Sequence, residues 1–389
     1  HAHAFHAGTL ADCEQLGIHA LDVFTLEIEL EQPGHYFLQM LASAAAKPIP
    51  SHLVEKCGQN WSDTEHFIGN GAFRLVAWQA KQAMVLERNP AFLGASAGNV
   101  GRVELFFHQS IAQQLARYEA DELDVLWLND FSGEELARLR QNHPGEYLSS
   151  PLLNVIFAVF DSSRPPFDDM RVRQAFVHAV DRDALVNGTL GGSANPAQGG
   201  YVPYGMPGHS PTIGLRFDPA RADELLNMAG YGDRTTFPAL RLMAWHGIAP
   251  VCGALSAAWR GNLEVQTEWE LLDYYKFLRS WNPTRPSIFL FGMSCEFPDA
   301  GLMLDNLFSN PFTSWKNLEF LQLFEAAQKN ADPVQRLLQI GQADALAMAE
   351  AAVMPLYYER MQMLIKPRIR HYPLSPTNWW FLKDVVMES

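Results

Sequence analysis

Residues 154–186 read NVIFAVFDSSRPPFDDMRVRQAFVHAVDRDALV. The first seven, from Asn154 to Phe160, form an apolar run rich in Val, Ile and Phe. Such a run suits a central strand covered on both faces. Ser162-Ser163-Arg164-Pro165-Pro166 breaks it with a loop. Asp168 and Asp169 then stand where a helix N-terminus favours carboxylates. Residues 170–185 place apolar side chains along one helical face. A buried strand feeding an amphipathic helix is the unit from which α/β folds are built.

The same alternation extends in both directions. Upstream, residues 21–30 (LDVFTLEIEL) alternate apolar and polar from Phe24 onward, as a half-buried strand does, and Pro33 stops them. Residues 36–46 read as a short apolar helix ended by Pro48 and Pro50. Gly69-Asn70-Gly71 turns into a strand over 72–78, whose hairpin partner is 84–88. Strands are expected at 103–108 and 123–128, and helices at 111–121 and 134–140. Downstream, residues 188–211 form a loop with seven Gly and four Pro, too long for a simple connector. Helices follow at 219–228, 254–260, 273–280, 319–330 and 333–352. Strands are expected at 240–244, 264–269, 287–292 and 353–358. Ligands of open α/β sheets bind beyond the carboxyl ends of the strands. Residues 295–299, after the 287–292 strand, are therefore a place to look for a site.

The chain has 389 residues, enough for two or three packed units. It is 48% hydrophobic and 19% charged, which supports a large core. Lys and Arg number 29 against 43 Asp and Glu, so the net charge is −14. That balance argues against broad nucleic-acid or anionic-membrane binding. No apolar run reaches the roughly 18–20 residues of a membrane span. The start, His-Ala-His-Ala-Phe-His, shows no signal peptide, which reads as a mature chain or a fragment. His1, His3 and His6 offer a metal-binding pattern, with incidental histidines as the alternative.

The sequence carries none of the usual catalytic signatures. It lacks His-Glu-x-x-His, Cys-x-x-Cys, Gly-x-Ser-x-Gly and a Walker A loop. Cys13, Cys57, Cys252 and Cys295 have no metal spacing. Cys295 beside Glu296 is either a nucleophile or a small buried thiol. No enzyme activity, cofactor or metal is called for.

Several segments resemble the family 5 extracellular solute-binding proteins, the peptide- and nickel-binding components of ABC importers. Residues 165–186 carry the strongest match. Residues 68–78 (IGNGAFRLVAW) resemble the family's glycine turn and strand, and 115–124 (LARYEADELD) its helix end, with Asp121 in the usual Gly place. Ala229-Gly230-Tyr231, residues 292–299, residues 354–358 and Ile365-Lys366-Pro367 follow in the expected order. The family's N-terminal stretch has no counterpart before His1, so the resemblance is to a member lacking its first-lobe segments.

The resemblance implies an α/β fold, a two-lobed periplasmic-binding-protein-like clamp (class II type) with mixed sheets flanked by helices. Residues 1–45 would finish a small accessory subdomain. Residues 46–153 and 366–389 would form lobe one, and 154–365 lobe two, with crossings near Asn154 and Ile365. The implied function is capture of a short peptide or similar cationic small molecule, outside the cytoplasm, for delivery to an ABC importer's membrane subunits. The alternative is a ligand-sensing domain of a transcription regulator.

Site residues follow from the same resemblance. Glu296 stands where peptide-binding relatives carry an Asp that pairs with the peptide amino terminus, or it is a solvated loop acid. Gly292 would admit an extended ligand close to the backbone. Met293 replaces a common Trp and is either cleft wall or core. Period two puts Tyr357 and Glu359 on one face and Tyr358 on the other. Glu359 replaces an aromatic. It either adds negative charge to the cleft or pairs with a nearby Arg. Asn154 is a ligand donor or a turn residue. Trp245 walls a side-chain pocket or packs in the core.

Overall fold

The computed structural model describes residues 2–31, 34, 36–107, 110–279, 286–308 and 313–388. Its backbone is organised by two long antiparallel strands, Tyr147–Phe160 and Val353–Ile365. They lie side by side in the middle of a seven-stranded mixed sheet. The order across that sheet is Thr267–Leu272, Leu240–Trp245, Ile288–Ser294, Tyr147–Phe160, Val353–Ile365 and Val125–Trp127. The two-residue strand Asn195–Pro196 also pairs with Val353–Ile365. The strands at 240–245, 267–272 and 288–294 are mutually parallel, so their carboxyl ends share one edge.

Period two decides which core each side chain enters. Ile156, Ala158 and Phe160 pack on one face, against Val172, Phe176, Leu225, Val251 and Trp259. Val155, Phe157 and Val159 pack on the other, against Met303, Phe320, Ile340 and Ala347. Both faces are covered by helices: Met170–His178, Pro219–Met228 and Ala249–Leu263 on the first, Ala300–Phe308, Leu318–Lys329 and Pro333–Ala349 on the second. That double cover is why residues 154–160 carry no polar alternation.

The core changes partners partway along the crossing strands. Leu152 packs with Met361, Met363 and Ile365, whereas Leu153 belongs with the residues up to Tyr358. A further cluster joins Leu364 to Tyr118, Leu126, Leu136 and Leu139. The helices Ile111–Glu119 and Gly133–Asn142 that supply it each begin at a capping box, set by Ser110 and Ser132. A three-stranded antiparallel sheet, Phe73–Gln79, Ala83–Arg88 and Arg102–Phe106, lies near the C-terminal segment. The amide of Asn99 donates to the Met387 carbonyl at 2.8 Å, and the Met387 N–H donates back at 2.8 Å.

Several expected elements differ. Residues 21–30 yield only Leu26–Ile28, paired with Ile18–Ala20; Val23 and Phe24 are 91% and 97% exposed, so the strand is not half-buried. Pro33 lies outside the described residues, as do His108 and Ser280 at the ends of two other expected elements. The 170–185 helix stops at His178, and Asp181 caps a fresh turn through the Ala184 N–H. Strand 264–269 lies three residues later, at Thr267–Leu272, because the preceding helix runs to Leu263 and Glu264 turns left-handed. Asp121, in the place where the family carries Gly, adopts φ +65°. Lys366 and Arg368 hold its carboxylate at 3.3 and 2.8 Å.

The long 188–211 loop is pinned by buried polar groups. Asp344 accepts hydrogen bonds from the Tyr201 N–H at 2.9 Å and the Val202 N–H at 3.3 Å. A side chain at Gly200 would place its Cβ 1.9 Å from that carboxylate, so the approach requires glycine there. The Tyr358 hydroxyl donates to the Gly200 carbonyl at 2.7 Å. Buried Arg182 donates to the carbonyls of Pro355 and Leu215 at 2.7 and 3.0 Å.

Burial pushes the Asp344 carboxyl up to about 6, against the two N–H bonds that pull it down. In an unfolded chain it titrates near about 4. Between those values the folded state holds a proton that the unfolded state releases. Stability therefore falls as pH rises through that window, by about 3 kcal/mol once it is crossed. Chemical denaturation at pH 4.5 and 7 checks this: Asp344→Asn is expected to flatten that part of the wild-type decline.

Candidate functional site

The ladder between the crossing strands is irregular at two places: Leu356 bulges between Pro355 and Tyr357, and a wider break follows Tyr358. Tyr358 pairs with Val155 and Arg360 with Pro151, so residues 152–154 face Glu359 alone. The backbone groups freed there find other partners. The Leu153 N–H donates to the Pro376 carbonyl at 2.7 Å, and the Cys295 N–H donates to the Leu153 carbonyl at 3.2 Å. The Asn154 side-chain amide spans the gap and donates to the Glu359 carboxylate.

On its other side, Asn154 pairs with Ser294 and Ile156 with Gly292. The carboxyl end of Ile288–Ser294 therefore meets the opening in the ladder. By strand alternation Gly292, Ser294, Asn154 and Ile156 share a face. A Cβ on Gly292 would meet the Ile156 Cδ1 at 2.8 Å and the Trp245 ring at 4.0 Å. That places Trp245, the last residue of Leu240–Trp245, on the same surface. Its ring also meets Tyr274 and Phe277, with centroids 6.0 and 5.7 Å apart.

The structure thus brings Gly292, Asn154, Glu359 and Trp245 together. Tyr357 is in the adjoining core and only 5% exposed. Its separation from Tyr358 onto opposite faces is as period two requires. Met293 turns away and packs on the opposite face, near Phe289 and Phe291. Glu296 lies beyond the strand end, exposed, next to the Cys295 amide that bonds Leu153. Ser294 completes the surface and is exposed. The reading from sequence missed it, although counting by two from Gly292 reaches it.

The electrostatics of this surface are acidic. Burial pushes the Glu359 carboxyl up, and the Asn154 bond partly restores it. Burial, reinforced by the Glu359 charge, likewise pushes the Tyr357 phenol up. Glu359 does not pair with its neighbour Arg360, whose guanidinium instead donates to the Ser149 hydroxyl at 2.8 Å and to Asn195 at 3.3 Å. Behind the Glu296 loop, Asp299 and Arg336 form a buried bidentate pair at 2.8 and 2.9 Å. Tyr36 stacks on Phe297 at 5.9 Å and lies over Arg336 at 5.8 Å. This packing anchors the base of the loop, while Glu296 itself is exposed.

Among the described residues no group of three His, Cys, Asp or Glu side chains could hold a metal. His1 and the side chain of His3 lie outside the described residues. No described helix is long and apolar enough to cross a membrane. Cys295 is 3% exposed, with its thiol pushed up to about 12 by burial. It is the buried thiol of the two readings, unsuited to nucleophilic attack.

Comparison with known proteins bears on this geometry. Residues 3–314 match the family model for bacterial extracellular solute-binding proteins, family 5, middle region. The probable deoxycholate-binding periplasmic protein YgiS of Escherichia coli is 29% identical over 396 residues, covering 97% of this chain and 72% of the relative. The periplasmic oligopeptide-binding protein OppA of Salmonella typhimurium is 27% identical over 375 residues, covering 92% and 67%. The structure of the Escherichia coli murein tripeptide binding protein MppA superposes with a TM-score of 0.83 at 23% identity, covering 99% of this chain and 77% of that one. The fold is that of the two-lobed periplasmic binding proteins.

Alkylation of the native protein at pH 8, followed by peptide mapping, tests the thiol assignment. Partly exposed Cys57 is expected to react, while buried Cys252 and Cys295 stay unmodified until the protein is denatured.

Proposed function

The chain belongs to family 5 of the bacterial extracellular solute-binding proteins, and from that premise we propose that it captures a short peptide, or a similar small molecule bearing an amino group, between two lobes. The family is one of binding proteins rather than enzymes. The lobes of this reading are residues 46–153 with 366–389, and residues 154–365, after an accessory segment 1–45. The change of core partner at Leu152 and Leu153 favours the first crossing at Asn154. The corresponding change between Tyr358 and Met361 favours a second crossing at Glu359, six residues before Ile365, which would move residues 360–365 from lobe two to lobe one.

One observation carries the proposal. The carboxyl end of Ile288–Ser294 delivers an exposed carboxylate, Glu296, to the point where the crossing strands part. A peptide's α-ammonium fits that carboxylate through a charge-assisted hydrogen bond. Its main chain would run past Gly292, beside the Ile156 and Trp245 side chains that fill the space a Cβ would take. Trp245 would wall the far side and Tyr357 would floor it. Met293 would act from behind, by fixing the strand. Asn154 and Glu359 would close the inner end.

Binding shifts such a clamp toward closure only by its preference for the closed state. The closed form would be read by the membrane subunits of an ABC importer, outside the cytoplasm. The relatives named above are periplasmic proteins, which supports that location. No observation favours the regulator alternative.

Titration calorimetry tests the ammonium contact. Glu296→Gln is expected to weaken a tripeptide with a free amino terminus at least tenfold, about 1.4 kcal/mol. It should change little for the N-acetylated tripeptide, which the wild type already binds poorly. Equal affinity of the wild type for the free and acetylated forms would overturn the assignment.

A further inference from the structure

The contact between Asn154 and Glu359 is chemically incomplete. The Asn154 side chain presents its NH2 group to the Glu359 carboxylate. That orientation leaves the Asn154 Oδ1 buried with no hydrogen-bond partner. Such an orphan acceptor carries a desolvation cost in a folded protein, so a partner is expected there. Two further acceptors belong to the same neighbourhood: the Glu359 carboxylate, with no described cation beside it, and the Ser294 hydroxyl on the paired strand. Arg360 spends its donors on Ser149 and Asn195, as described above.

We propose that Asn154, Glu359 and Ser294 form a second subsite, which takes a basic side chain of the ligand. A lysine ammonium or an arginine guanidinium supplies only donors. It would satisfy the Asn154 Oδ1 and the carboxylate together and neutralise the buried charge. A neutral aliphatic side chain would leave both acceptors unsatisfied. The break of three residues against one in the crossing-strand ladder lies beside these acceptors. The inference rests on the peptide-binding reading above and adds the ligand class: a peptide with an amino terminus for Glu296 and a cationic side chain for Glu359.

Calorimetry with two series of tripeptides tests this. In one series Lys occupies the first, second or third position among alanines. In the other, norleucine, which lacks the ammonium, replaces it. The wild type is expected to prefer the Lys peptide at least tenfold at one position. Glu359→Gln is expected to abolish that preference, so that it binds the Lys and norleucine peptides with equal affinity. Asn154→Ala should reduce it in the same direction. Wild-type preference needs no variant to fold, so its absence at all three positions would overturn the inference and leave the peptide reading intact. A preference kept by folded Glu359→Gln would also overturn it. Failure of the wild type to bind any of the six peptides would overturn both.

Discussion

The antiparallel pairing of Tyr147–Phe160 with Val353–Ile365 holds the rest of the molecule in place. These two strands run through both packing regions, and their hydrogen bonds join residues some 200 positions apart in sequence. Where the ladder is continuous it forms the centre of a sheet buried on both faces. Where it opens, between Leu152 and Asn154, the hydrophobic contacts switch from one set of partners to another. A backbone that loses ladder bonds must find others, and Leu153 finds them in Pro376 and Cys295. The same opening therefore fixes the C-terminal segment and the Glu296 loop against the crossing.

The adjacent charges follow one logic. Asp299 is paired with Arg336, Asp344 is held by backbone N–H groups, and Arg182 is held by carbonyls. Each secures a loop to the sheet or to a helix behind it. Among the described residues Glu359 has an amide partner, Asn154, and Glu296 is exposed. Buried structural charges are satisfied within the protein, whereas the two acids at the ladder opening are left with capacity for donors from outside. That contrast separates the candidate site from the scaffold better than acidity alone.

Much of the scaffold was legible from local sequence. The helix Pro219–Met228 has its expected limits, with Asp218 as cap, and the hairpin after Gly69-Asn70-Gly71 forms as read. The solute-binding resemblance led to the right fold and family. The crossing strands were only half visible. Ser149-Ser150-Pro151 interrupts the apolar pattern of the first, and Glu359-Arg360 that of the second. Both strands continue through these breaks because each has the other as partner, a contact that local periodicity does not register. Glu359 was singled out as an unusual acid. Its bond to Asn154 was not legible, since it depends on a three-to-one irregularity between strands distant in sequence. Residues 21–30 show the opposite failure: they have a strand's alternation, but nothing in the described structure covers their apolar side chains.

Hydrogen exchange with and without a saturating short basic peptide tests most directly the claim that ligand binds where the crossing ladder opens. The amides of residues 152–155, 292–297 and 357–361 are expected to slow together on binding, while the helices behind the sheet change little. Binding with protection confined to other segments, and none at these three, would contradict the account.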